Sequence, residues 1–246
     1  MNGIILIADT DELIQDASML LTSTIAEAQQ KQHDFSNMNI VAQATPDSIL
    51  QLIRDPNAQP LPDCFLKTKR KIAVAFGPNS DALLARLARE MAKVGTQKKL
   101  AIPLQCFPMH EAIIDFCHEK GLKRLWIQPN LEIPEVDKTL TAQLQAAGLQ
   151  TCSIDRELQL SINLRAIQID LLYDTDPTAV KEEARRLWQP LEPSLTSSGA
   201  QAILLNTDSM ALVDYEGTSP HCPYTIIDPH ALYMERITAW ALSCPT

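Results

Sequence analysis

Several patterns that identify common classes of protein are missing from this 246-residue sequence. It contains only seven glycines, and no pair has the G-x-G or G-x-x-x-x-G-K spacing that binds nucleotide phosphates. The H-E-x-x-H, G-x-S-x-G and EF-hand patterns are absent as well. These absences exclude a kinase, an NAD enzyme of the usual type and an α/β-hydrolase.

The sequence also lacks long apolar runs and a basic balance of charge. No stretch is apolar over the roughly 18 residues that a membrane span requires, and the opening MNGIILI has no basic region or cleavage site for secretion. A net charge of −9 opposes nucleic acid and anionic membranes as partners. We therefore expect a soluble, cytoplasmic protein that binds neither.

The six cysteines are dispersed, and no two of them form a C-x-x-C pair. Without a secretion signal, this pattern favours reduced thiols over disulfides or a zinc site. We therefore expect no metal.

Four of the glycines mark junctions between elements. Gly95, Gly121, Gly148 and Gly199 each follow a segment with helical periodicity and precede a short apolar run. Glycine closes a helix in the left-handed conformation at little steric cost. Repeated helix–glycine–strand junctions predict an α/β protein with mainly parallel sheets.

Short apolar runs predict eight strands, at residues 4–8, 39–42, 72–76, 100–103, 124–128, 150–154, 202–205 and 224–227. A capping residue before proline predicts helix starts at Thr45, Asp176 and Asp228. Residues 229–242 have helical spacing and predict a final helix. Ligands of parallel sheets bind beyond the carboxyl ends of the strands, so residues 76–80 and 205–209 are the segments of interest.

A succession of motifs resembles the PLP-independent aspartate/glutamate racemases. GAQAILLNTDSM (199–210) resembles the second signature of that family, and PYTIIDPHA (223–231) resembles its ending. Upstream, AVAFGPNSDA (73–82) stands where the family has a strand followed by its first cysteine, and LAIPL (100–104) and GLKRLWI (121–127) match later strands. The order and spacing of these pieces span nearly the whole chain.

The resemblance implies two similar Rossmann-like lobes, related by a pseudo-twofold, with a ligand cleft between them. It places the first lobe at residues 1–104 plus 218–246 and the second at 105–217. It also implies a homodimer, no cofactor and a small dicarboxylic amino acid as ligand.

The two catalytic cysteines of the family are replaced by residues without a thiol. The first position falls on Gly77, or on Pro78 under a one-residue shift, and the second falls on Thr207. In active members one thiolate removes the α-proton while the opposing thiol delivers a proton to the other face. Glycine carries no acid or base, and a threonine hydroxyl needs a strong activating partner. The resemblance therefore implies the racemase fold without two-thiol racemisation.

The ligand-binding residues that the resemblance implies are Asn79, Ser80, Thr207, Asp208 and His230. Asn79 and Ser80 match the family's N-[TS] pair, which resembles a cradle for the substrate carboxylate. His230 matches a family position near the cleft.

Other polar residues near strand ends have two readings. Asp81 and Asp208 are either helix caps or contacts to a ligand amine. Cys106 and Cys222 are either ordinary cysteines or relocated acid–base groups. His110 lies at a predicted helix start, where a surface or capping role is the simpler expectation.

Three functions follow from these features. The first is a racemase-fold protein that binds a small carboxylate ligand, or serves as a partner subunit, without racemising it. The second is a racemase, isomerase or lyase that uses Asp9, Asp208, His230 or a relocated cysteine. The third is an α/β interaction protein without a ligand.

Overall fold

The computed structural model describes residues 2–8, 11–32, 39–44, 70–76, 80–95, 104–129, 134–172, 176–205 and 223–243. The chain divides into two compact units. The first comprises Met1–Ala112 together with Tyr233–Thr246, and the second comprises Ile113–Leu232.

The first unit contains a four-stranded parallel sheet with the order β2-β1-β3-β4. Strands β1 and β3 are paired along their full length, and residues 4–7 and 72–75 are at most 2% exposed. Consecutive buried apolar residues are typical of a strand covered on both faces. The elements of this unit are β1 (Asn2–Ala8), α1 (Asp11–Gln32), β2 (Asn39–Ala44), β3 (Arg70–Phe76), α2 (Ser80–Gly95) and β4 (Gln105–Cys106).

Two helices are shared between the units along the chain. Helix α3 (Met109–Glu119) begins in the first unit and ends in the second, whereas α7 (Pro229–Leu242) begins in the second and ends in the first. Within the first unit, the Arg70 guanidinium lies 4.9 Å from the centre of the Trp240 ring and donates to the Ser243 hydroxyl at 3.0 Å. The end of α7 is thereby attached to the start of β3.

The second unit repeats this arrangement with the order β6-β5-β7-β8, again parallel. Trp126 on β5 is buried in one cluster with Ile162 on α5 and Trp188 on α6. The two sheets have the same order of strands, which confirms the prediction of two similar parallel α/β lobes. The elements are β5 (Arg124–Ile127), α4 (Pro134–Ala146), β6 (Gln150–Cys152), α5 (Arg156–Leu172), α6 (Pro177–Ser198), β7 (Ala202–Leu204) and β8 (Thr225–Ile227).

The predicted junctions and helix starts hold at most of the described positions. Gly121, Gly148 and Gly199 have φ values of 67°, 84° and 71°, in the left-handed region, whereas Gly95 is the last helical residue of α2. Asp176 and Asp228 cap the helices that follow them, each accepting two backbone N–H groups through Oδ1. The predicted final helix is confirmed, and the predicted start at residue 45 lies outside the described residues.

Two strands lie across the predicted lobe boundaries. Strand β4 pairs with β3 and belongs to the first unit, although residues 105 and 106 were expected in the second. Strand β8 pairs with β7 and belongs to the second unit, although residues 225–227 were expected in the first. In both cases sheet pairing decides the unit. The strand predicted at 100–103 lies outside the described residues. Each of the other seven predicted ranges contains a strand.

The left-handed glycines generate a stability prediction. We expect Gly121→Ala and Gly199→Ala each to lower the free energy of unfolding by about 1–2 kcal/mol, because an alanine is strained at positive φ. A Cβ at Gly121 would meet no atom within 4 Å, whereas at Gly199 it would lie 2.9 Å from the Arg124 guanidinium. Because the exposed Arg124 side chain can move aside, urea unfolding should give losses of similar size in the two variants, and an unchanged stability in both would contradict the assigned caps.

Candidate functional site

Two of the predicted site residues lie in the described part of the chain. Ser80 is the first residue of α2, follows the carboxyl end of β3 and is 6% exposed. His230 follows β8 in the second unit, and its backbone N–H donates to Asp228 Oδ1 at 2.9 Å. The structure thus places each beyond a strand end, in separate units. Gly77, Asn79, Thr207 and Asp208, like Asp9, Pro78 and Cys222, lie outside the described residues.

The clearest polar arrangement at a strand edge joins Asp81 to His110. Asp81 Oδ2 lies 2.7 Å from His110 Nδ1, and both side chains are about four-fifths shielded from solvent. Asp81 Oδ1 accepts the backbone N–H of Met109 at 3.0 Å. The carboxylate at the start of α2 therefore caps the neighbouring helix α3 and also orients the first histidine of that helix.

The protonation of His110 depends on this contact. Burial lowers the pKa of His110, but the hydrogen bond and charge of Asp81, together with the charge of Glu111, outweigh it, so the pKa is raised above 6.5. With Nδ1 held by a carboxylate, the imidazole has one fixed orientation and its Nε2 is directed away from Asp81. This geometry suits a group that accepts or donates one proton.

Tyr233 occupies the same end of the sheet in the first unit. Its side chain is fully buried, and its ring contacts the rings of Phe76 and Phe107 at centroid distances of 5.3 and 6.0 Å. The Tyr233 hydroxyl donates to the Phe107 carbonyl and accepts the Ala75 N–H at 3.4 Å. Burial raises its pKa, so Tyr233 is a neutral hydrogen-bonding group.

The Tyr233 hydroxyl takes the place of a rung between β3 and β4. Phe107 N–H donates to the Ala73 carbonyl at 2.9 Å. In a continuing parallel ladder, the Phe107 carbonyl would next accept the N–H of Ala75. The hydroxyl bridges these two groups instead, so the ladder stops after Cys106 and the edge opens beside the start of α3.

Burial keeps two of the described thiols, those of Cys106 and Cys117, protonated near neutral pH. Cys106 ends β4, and burial, followed by the charge of Glu111, raises its pKa to about 11. Burial alone raises the pKa of Cys117 to about 11. Cys152 ends β6, and its thiol donates to the Ser198 carbonyl at 3.6 Å.

The described ranges contain no group of three His, Cys, Asp or Glu side chains that could hold a metal ion. In the same ranges, no helix combines the length and apolarity that crossing a membrane demands.

Comparison with known proteins places the fold. No protein-family model matches the chain, and no curated protein matches its sequence. An aspartate racemase homologue from Pyrococcus horikoshii OT3 superposes with a TM-score of 0.65 and 10% identity, over 99% of this chain and 100% of that one. The fold is that of the Asp/Glu racemase homologues.

Two further structures agree with this fold. A Yersinia pestis protein assigned as an Asp/Glu racemase gives a TM-score of 0.62 at 14% identity, over 99% of this chain and 100% of that one. A liganded arylmalonate decarboxylase, with one glycine changed to cysteine and one cysteine to serine, gives a TM-score of 0.50 at 10% identity. The match covers 100% of this chain and 95% of that one. At these identities the likeness concerns the fold alone.

The Asp81–His110 contact generates a prediction for titration. We expect Asp81→Asn to lower the pKa of His110, because the burial that lowers it would then be opposed only by Glu111. Glu111→Gln, which removes a smaller effect, should lower it less. NMR titration of the imidazole measures both, and an unchanged midpoint in Asp81→Asn would contradict the assigned hydrogen bond.

The same contact predicts how stability depends on pH. Because folding raises the pKa of His110, the protonated imidazole stabilises the folded state fully below pH 6.5, and this contribution is lost as pH rises through the folded pKa. We expect the difference in unfolding free energy between wild type and His110→Gln to shrink across that interval. Urea unfolding at pH 5.5 to 8.5 measures it, and a difference independent of pH would contradict the assignment.

Proposed function

We propose that this protein binds a small amino acid carrying carboxylate groups, on a racemase fold that has lost two-thiol racemisation. The full-length match in fold to racemase homologues is the observation that carries the proposal. The sequence supports the loss of racemisation, because Gly77 and Thr207 stand at the positions that correspond, by resemblance, to the family's two catalytic cysteines.

Proton affinity argues against a simple substitute for those cysteines. A thiol with a pKa of about 11, as for Cys106 and Cys117, is thiolate in only about one molecule in ten thousand at pH 7. Racemisation needs matched acid–base groups on both faces of the α-carbon. Cys152 is a thiol at a strand end of the second unit, but one thiol leaves the opposite face without a partner.

The start of α2 supports binding of a carboxylate. Ser80 is a buried polar residue at the first turn of a 16-residue helix. Backbone N–H groups in a first turn lack helical partners, and the positive end of the helix dipole favours an anion. Asn79 precedes it in sequence, as in the family's N-[TS] pair.

A second function is favoured by the 2.7 Å contact between Asp81 and His110. One oriented imidazole suffices for a reaction that adds or removes a proton on one face, as in decarboxylation or elimination. Arylmalonate decarboxylase has the same fold. Under this alternative the protein is an active lyase or isomerase, with His110 as its acid–base group.

Proton exchange and ligand binding together test the first proposal. The protein would be incubated in heavy water with the L and D forms of aspartate and glutamate, and the Cα proton followed by NMR. We expect no exchange, but a rise in Tm, since ligand at one hundred times Kd adds about 2.7 kcal/mol of stability. Absence of both signals would favour the interaction protein without a ligand.

Restoring the thiols provides the matched variant. Arylmalonate decarboxylase shows that this fold accepts exchange of glycine for cysteine. We expect Gly77→Cys/Thr207→Cys to interconvert the L and D forms with Cα exchange, whereas each single variant exchanges at most on one face and does not invert the centre. If the double variant binds ligand but does not exchange, the assigned cysteine positions are wrong.

Exchange by the wild type would support the second function. In that case we expect His110→Gln to reduce the rate at least a hundredfold, within the usual contribution of general acid–base catalysis. Asp81→Asn can still accept the Met109 N–H and should reduce the rate less. If His110→Gln leaves the exchange rate unchanged, His110 is not the acid–base group.

A further inference from the structure

Helix α5 has an apolar stripe exposed on its surface. Its members are Leu160, Leu164, Ile167 and Leu171, between 47% and 74% exposed. At 3.6 residues per turn they lie within about 60° of one another around the helix. Exposed apolar side chains of this size are concentrated on α5, and the others in the described ranges are Met19 and Leu20 on α1.

The stripe is not the face by which α5 packs in its own unit. Ile162, Ala166 and Ile169 are at most 3% exposed and lie on the opposite side of the helix, in the cluster with Trp126 and Trp188. A helix that is apolar on two opposite faces is typical of an element covered on both sides. One cover is the core of the second unit, and the stripe requires another.

The spacing of the stripe fits a second copy of itself. Its members are separated by four, three and four residues, and this order reads the same in both directions along the helix. In an antiparallel pair related by a twofold axis, Leu160 would face Leu171 of the partner subunit, and Leu164 would face Ile167 of the partner subunit. A self-complementary patch is what a twofold interface requires.

The charge around the stripe also fits a second copy. From Leu160 to Leu171 the sequence contains two charged side chains, Arg165 and Asp170, and Arg165 Nη1 lies 3.0 Å from Glu183 Oε2 on α6. Two chains of net charge −9 repel each other, so they associate best through a surface with few acidic groups. The exposed neighbours Ser161 and Gln168 are polar and uncharged, as at the rim of an interface.

The area is adequate for the apolar centre of such an interface. The stripe exposes on the order of 400 Å² per subunit, within the range of the largest patches on monomers, which are often functional. Each partner in a standard interface contributes about 800 Å². The remaining buried area would come from the polar rim and the neighbouring surface.

We infer that α5 forms the interface of a homodimer, in which two copies of the helix pack antiparallel through this stripe. The inference is independent of the proposed ligand and of the chemistry at Asp81 and His110.

Analytical ultracentrifugation of the full chain tests the surface. We expect a concentration-dependent dimer in the wild type, and Leu164→Glu should raise its dissociation constant at least tenfold. Leu20→Glu, at a similarly exposed leucine on α1, is the control and should leave it unchanged. A monomeric wild type would overturn the inference, as would a dimer weakened by Leu20→Glu and not by Leu164→Glu.

A paired variant tests the antiparallel arrangement. Ile167→Lys alone should weaken the dimer, whereas Leu164→Glu/Ile167→Lys should recover it in part, since each glutamate would then face a lysine of the partner subunit. Circular dichroism of each variant verifies that it is folded. If the double variant is no tighter than the weaker single variant, the antiparallel pairing is wrong.

Discussion

The first unit depends on one hydroxyl group at the open end of its sheet. Tyr233 reaches this point from the last helix and satisfies the Ala75 N–H and the Phe107 carbonyl at once. Leaving either group buried without a partner would cost about 1–3 kcal/mol. Because the hydroxyl replaces a direct rung, β4 is only two residues long. The chain then turns into α3, which brings His110 to Asp81.

Much of the fold could be predicted from local patterns. Buried apolar runs mark β1 and β3, left-handed glycines mark three helix ends, and Asp176 and Asp228 mark two helix starts. The short strand β4 could not be predicted this way, because Gln105–Cys106 has no apolar run. It is a strand only through its pairing with β3. The two compact units differ from the predicted lobes at β4 and β8 for the same reason, because each of these strands lies in the unit of the strand with which it pairs.

The candidate site was partly visible in the sequence. Asp81 and His110 were both recognised at helix starts, Asp81 as either a helix cap or a ligand contact and His110 as a surface or capping residue, but their contact with each other was not predicted. Their contact spans 29 residues, and it follows from topology, because the helices after two adjacent parallel strands begin at the same edge. That signal was present once β3 and β4 were known to be neighbours. The role of Tyr233 could not be predicted from the sequence, because its hydrogen-bond partners are backbone groups of other elements.

The route of the last helix has a consequence for synthesis on the ribosome. Most of the first unit precedes the second along the chain, but Tyr233 and Trp240 belong to it and are translated only after the whole of the second unit. Until they emerge, Ala75, Phe107 and Arg70 lack the contacts described above. The second unit, residues 113–232, is contiguous and can fold first. The first unit, although most of it is translated earlier, therefore completes its folding only after the second unit has been made.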